Sequence, residues 1–203
     1  MEETKREFFL NRFLEMEQIA KEMVNQIDTL EHMVSILDNL RIQKGRLFFC
    51  GVGGGAGNGT HAAGDLFKSA RIQTICLTDN VPTLTAITND EGWPRVFVDQ
   101  MEIWNFGRYD ALFVFSVGGG DAKRRISANI VKAVAYAKKK KCPVLGVVGK
   151  VDGYTAQNGD AVIVCPTVNP DYRTTHTESL QSYVAHLLTE ALRQRSAKWE
   201  SVM

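Results

Sequence analysis

"RLFFCGVGGGAGNGTHAAGDLF", residues 46–67, is the stretch on which the reading of this chain turns. It opens as a short apolar run closed by glycine, the mark of a buried strand. Small and polar residues then read as a helix over 56–69. A strand that passes through glycines into a helix is half of a strand–helix–strand unit. Gly-rich turns in that position expose backbone N–H groups at a helix N-terminus, where the helix dipole helps them hold an anion such as phosphate. Just beyond, His61 and Asp65 stand four residues apart, on one helix face.

The same rhythm continues downstream. Strand candidates are "IQTICLT" (72–78), "ALFVFSV" (111–117), "PVLGVVG" (143–149) and "AVIVCP" (161–166). Helices are expected over 82–89, 122–139 and 175–195. Strands alternating with helices imply a parallel sheet covered on both faces. "SVGGGD" (116–121) sets a second glycine loop in the same strand-to-helix context as Gly51–Gly55. In open α/β sheets ligands collect at such carboxyl ends of strands. Residues 2–44 differ: Phe8, Phe9, Leu10, Phe13, Leu14 and Ile19, then Met23, Ile27, Leu30, Met33, Val34 and Leu37, recur at helical spacing, and neither Pro nor Gly occurs before Gly45. That apolar face is expected to cover a sheet edge or a partner subunit. The organisation expected is a helical segment over 1–45, an α/β domain over 46–196 and a tail over 197–203.

With 203 residues the chain fits one domain with a sizeable core. Hydrophobic content of 44% and charged content of 23% are those of a soluble globular protein. A net charge of +1 offers no bulk attraction to nucleic acid or to an anionic membrane. The run Lys138–Lys141 closes an expected helix and complements its dipole. No apolar run approaches the roughly 18 residues of a membrane span, and "MEETKREFF" is unlike a secretory leader; a cytoplasmic protein is expected. Cys50, Cys76, Cys142 and Cys165 lie in or beside strand-like stretches without a CxxC pair, so they read as buried reduced thiols rather than zinc ligands.

Read alone, the first loop has other interpretations. Gly51, Gly53 and Ala56 fit a dinucleotide fingerprint with Asp79 as the ribose acid, but that leaves the second loop, the helical preamble and His61/Asp65 without roles. Both loops could also simply tighten strand–helix turns, and an i,i+4 His/Asp pair is a common surface ion pair. Near the C-terminus, Glu178, Ser182 and His186 form an i, i+4, i+8 stripe beside Leu180, Val184, Leu187 and Leu188. His176, two residues before Glu178, is a further candidate to reach a ligand.

Taken together, the helical N-terminus, strand–"GVGGG", the helix with "HAAGDL", strand–"SVGGG" and the late helix "THTESLQSYVAHLL" resemble the sugar isomerase (SIS) domain and, within it, the phosphoheptose isomerases. That resemblance implies an α/β three-layer sandwich with a five-stranded parallel sheet, flavodoxin/Rossmann-like, plus N-terminal helices. It also implies homotetramers with active sites at subunit interfaces, and the conversion of sedoheptulose 7-phosphate to D-glycero-D-manno-heptose 7-phosphate. Positions matching the family's substrate contacts are Gly53, Gly54, Gly55, Asn89, Asp90, Ser116, Gly118, Gly119, Gly120 and Glu178. Asp65, where the family has Glu, and His186 match the catalytic pair. His61, Asp65, Glu178 (the family's Gln) and His186 match the positions that hold zinc in some members.

The matched residues suit a cis-enediol proton transfer, with Asp65 as base at carbon and His186 serving the oxygens; a metal would polarise the carbonyl. If Asp65 is a ligand, its basicity falls and a metal-bound hydroxide or Glu178 must take over. Glu178 and His186 lie about 12 Å apart along a helix, so one ion reaches both only if their side chains converge or subunits share the site. Gly55 stands where the family has Ser, and the second loop keeps only the Ser116 hydroxyl. Asp121 would repel a phosphate, while Lys123, Arg124 and Arg125 follow at once. The alternative function is a non-catalytic SIS protein that binds a sugar phosphate or a regulatory partner.

Overall fold

A computed structural model describes the backbone of residues 3–200 and side chains as far as Gln194. Five strands, β1 (Arg46–Gly51), β2 (Gln73–Cys76), β3 (Ala111–Ser116), β4 (Val144–Val148) and β5 (Ala161–Val164), form one parallel sheet of order β2-β1-β3-β4-β5. The five strand candidates and the α/β class are therefore as read from the sequence. The strands are apolar on both faces because helices cover both. Leu47, Phe49, Phe113, Phe115, Leu145 and Val147 enter one core, while Phe48, Cys50, Leu112, Val114 and Val144 enter the other.

The first core lies beneath α2 (Ile27–Ile42), α3 (Gly54–Ala70) and α8 (Arg173–Glu200), through Leu37, Leu66 and Val184 among others. The second lies beneath α5 (Val98–Ile103) and α6 (Ala128–Lys139), through Met101, Ile130 and Val134. Helix α1 (Lys5–Met23) starts with a capping box between Thr4 and Glu7 and buries Ile19 in the first core. The remaining helices are α4 (Val81–Asp90), begun by an Asn80 cap, and the short α7 (Tyr154–Asn158). Helix α8 runs on through Glu200, into the stretch expected as tail; residues 201–203 lie outside the described residues. Among the described residues no helix is long and apolar enough to cross a membrane, and all four cysteines are free and buried.

Helix α6 begins six residues later than the sequence suggests. Gly119 and Gly120 take positive φ values of 68° and 83°, which turn the chain away from helix. Asp121 and Ile126 then exchange backbone hydrogen bonds of 2.9 and 3.1 Å, closing a small hairpin ahead of the helix.

Glycine matters most where α3 leaves β1. A β-carbon on Gly55 would stand 2.5 Å from the Phe115 carbonyl oxygen, whereas one on Gly57 would meet nothing within 4 Å. Gly55→Ser is thus expected to cost about 1–3 kcal/mol of stability through overpacking, and Gly57→Ala to add about 0.5–1 kcal/mol by lowering the entropy of the unfolded chain. Urea unfolding of the two variants checks both signs.

Candidate functional site

The strand order reverses between β1 and β3, the crevice where open α/β sheets take their ligands. Both glycine loops open there, with Gly51 at the end of β1 paired in register with Phe115 of β3. Helices α3 and α8 run parallel from this edge, since their contacts ascend together: Gly54 meets Glu178, Asn58 meets Gln181, and Asp65 meets His186.

Far along that seam a polar cluster forms. His61 Nε2 and His186 Nδ1 each lie 3.3 Å from Asp65 Oδ2, and the two imidazoles meet edge-on with centroids 5.1 Å apart. One donor atom from each of the three residues falls within 4.8 Å of the others, an arrangement that can hold a metal ion. The neighbouring Ala62 and Ala63 are buried and Gly64 carries no side chain, so nothing bulky crowds the group. The cluster is open to solvent, with the His61 side chain 58% exposed and that of His186 49%. A local ion pair would join His61 and Asp65 alone; the arrival of His186 from a distant segment makes this a candidate site.

Glu178 is held apart from it. Its carboxylate packs so closely on Gly54 that a β-carbon there would overlap it. Gly54 and Asp65 are 11 residues apart on α3, about 16 Å along the helix axis. Of the four expected metal ligands, His61, Asp65 and His186 come together, while Glu178 belongs with the glycine loops. Asn58 and Gln181, which sequence reasoning passed over, align the seam. The Asn58 amide donates to the Glu178 carbonyl (2.9 Å) and to Gln181 Oε1 (3.1 Å), and buried Gln181 donates to the Val147 carbonyl (3.1 Å). Their only sequence signal is a polar side chain on an otherwise core-facing stripe.

The loops differ in exposure: Val52, Gly53 and Gly54 are exposed in the first, while Gly119 and Gly120 are buried in the second. Gly53 takes φ 60°, ψ −126°, open to glycine but strained for other residues. Gly54 and Gly55 already belong to α3, where the Gly55 N–H donates to the Val52 carbonyl and the Ala56 N–H to the Gly53 carbonyl. In the second loop Ser116 Oγ accepts from the Gly119 N–H (3.1 Å). The Gly119 carbonyl accepts from the Thr155 N–H and hydroxyl, and the Gly120 carbonyl from the Tyr154 N–H, so α7 fastens this loop. Space beside Gly118 is open. Asn89 and Asp90 sit exposed at the far end of α4, hydrogen-bonded to each other at 2.8 Å.

His176 does not face the site. It is 2% exposed beneath α1, with Nε2 3.0 Å from Glu15 Oε2. Burial pushes the Glu15 carboxyl up in pKa, but hydrogen bonds from Asn169 and Arg12 and the nearby Arg12 and His176 outweigh it and hold the pKa below the usual range. A depressed carboxyl contributes stability that is present above its unfolded pKa and lost as pH falls through the folded one. Glu15→Gln is expected to lower the unfolding midpoint at pH 7 and to flatten the loss of stability below about pH 4, as thermal melts across pH 3–7 would show.

No protein-family model matches the chain. It is 35% identical over 153 residues to the lincomycin biosynthesis protein LmbN of Streptomyces lincolnensis, covering 72% of this chain but 55% of that protein's length. It is 30% identical over 190 residues to the phosphoheptose isomerase of a Nitratiruptor species, covering 85% of this chain and 95% of the relative. The phosphoheptose isomerase GmhA of Neisseria gonorrhoeae superposes with a TM-score of 0.81 at 23% identity, over 94% of this chain and 100% of that structure. Fold, glycine loops and the α3–α8 seam thus coincide with near full-length similarity in sequence, and the chain belongs to the phosphoheptose isomerase family.

Proposed function

We propose that this protein is an aldose–ketose isomerase of a sugar phosphate, with sedoheptulose 7-phosphate converted to D-glycero-D-manno-heptose 7-phosphate as the reaction to test. The observation that carries this reading is Asp65 Oδ2 held 3.3 Å from each of two solvent-accessible imidazoles. Asp65 takes the proton from the carbon next to the carbonyl, leaving an enediolate. His186 moves the proton between the two oxygens, and Asp65 returns its own to the neighbouring carbon, so no atom is gained or lost. His61 braces Asp65 from within α3.

The three donors also suit a divalent metal such as zinc. Tetrahedral zinc with N and O ligands at about 2.0–2.1 Å places neighbouring donors about 3.3–3.4 Å apart, which is the spacing of Asp65 Oδ2 from both imidazole nitrogens. When bound, such an ion supplies a Lewis acid that polarises the substrate carbonyl. Glu178 stands outside this group, against Gly54, too far along α3 to take a proton at the cluster from within the same chain.

The site is proposed to be completed between copies of the chain in a homotetramer. In one chain the loops and the imidazole–carboxylate cluster are separated along α3, and the cluster is open. Helix α1 exposes Phe9, Leu10, Phe13 and Leu14, and a cavity of about 350 Å³ between α1, α2 and α8 is walled by Met16, Leu30, Tyr183 and Leu187, an apolar face suited to self-association. The four reduced, buried thiols support a cytoplasmic setting.

Asp65→Asn, which keeps shape and removes charge, is expected to lower kcat by about 10²–10⁴-fold with the unfolding midpoint retained. The assay is aldose formation from sedoheptulose 7-phosphate. Full turnover by Asp65→Asn would overturn the assignment of the carbon proton to Asp65. A folded wild type that binds the sugar phosphate without converting it would establish the non-catalytic alternative.

A further inference from the structure

The second glycine loop offers an anion few side-chain groups. Gly118, Gly119 and Gly120 carry none, and the Ser116 hydroxyl already accepts from the Gly119 N–H. Positive charge stands immediately beside it. The hairpin closed by Asp121 and Ile126 displays Lys123, Arg124 and Arg125 in succession, all exposed, directly after the loop that follows β3. The hairpin is a built feature. Its ends are cross-bonded, Arg125 and Ser127 adopt left-handed φ values of 56° and 47°, and the chain returns so that Ser127 and Val131 of α6 pack beside Gly120.

Asp121, which by sequence should repel phosphate, is turned to structural use. Its carboxylate accepts from the Arg124 N–H at 2.8 Å and lies 3.6 Å from the Arg124 guanidinium. Those hydrogen bonds and charges hold its pKa below the usual carboxylate range. Arg124 is thereby spent on the turn. Lys123 also helps to lower the Asp121 pKa, but among the described residues neither it nor Arg125 pairs with a carboxylate at ion-pair distance, leaving two exposed cations beside the loop.

We propose that Lys123 and Arg125, carried on the Asp121–Ile126 hairpin, are the substrate-positioning residues that hold the phosphate of the sugar, so that this end of the substrate is recognised by charge rather than by loop hydroxyls. The proposal rests on the sugar-phosphate reading of the site. Charge recognition of this kind sets binding and its salt dependence and leaves the proton-transfer groups untouched.

The test is the Lys123→Ala/Arg125→Ala double variant beside a control, Lys132→Ala/Lys139→Ala, that removes the same charge from the exposed side of α6. For the hairpin variant KM for sedoheptulose 7-phosphate and the inhibition constant of inorganic phosphate are expected to rise about tenfold or more, with kcat within about twofold and a weaker dependence of KM on salt. An unchanged KM and phosphate constant, or an equal change in the control, overturns the proposal. Direct calorimetric titration with inorganic phosphate separates the two levels. A wild type that binds phosphate and a hairpin variant that does not would uphold the hairpin even if no sugar were turned over, and an active variant with unaltered phosphate binding would remove the hairpin alone.

Discussion

Helix α8 can bring His186 to Asp65 because α3 presents little bulk to it. Gly54 lets the Glu178 carboxylate rest on the helix backbone, and Asn58 bonds both the backbone and a side chain of α8. Gln181 completes the register by donating to the carbonyl of Val147 in β4, the strand beneath α8. Two parallel helices are thus fixed in rotation and in height at three successive points. The imidazole–carboxylate group is the lowest of them. A shift of α8 by one residue would rotate His186 by about 100° and dismantle the group without touching any of its members.

The glycines between β1 and α3 serve this packing more than they serve a ligand. At Gly51 and Gly55 a side chain would collide with backbone, of Gly55 and of Phe115 respectively. At Gly54 it would collide with Glu178, and Gly53 takes a conformation that strains other residues. Close approach of α3 to the end of β3 is what allows two helices and two strand ends to share one crevice. At Gly55, where the family resemblance leads to an expectation of serine, the Phe115 carbonyl occupies the space a β-carbon would need.

The N-terminal helices play two roles at once. One face of α1 carries Ile19 into the core and uses Glu15 to cover His176 and Asn169. Arg12 completes that attachment by stacking 3.9 Å over the Tyr172 ring centroid. The opposite face leaves Phe9 and Phe13 in solvent, a large apolar exposure for a single chain. Buried polar anchoring on one side and apolar exposure on the other suit a helix that is itself a layer between two bodies.

The five strands, their parallel arrangement and most helix spans were legible in the sequence because buried strands between covering helices leave long apolar runs, and helices leave a 3.6-residue period. His61, Asp65 and His186 were legible as candidates, with the family likeness supplying the link between helices that spacing cannot. The hairpin before α6 was not, since "DAKRRIS" reads as well as a first helical turn, and only positive-φ glycines and cross-bonds with no local signature decide otherwise. Nor was the fate of His176, Glu178 and Asp121 written in their neighbours. Which partner a polar side chain meets depends on what lies across from its helix face or loop. Periodicity dictates the face a residue occupies; only packing decides what that face meets, and so which imidazole is buried against Glu15 and which stands open beside Asp65.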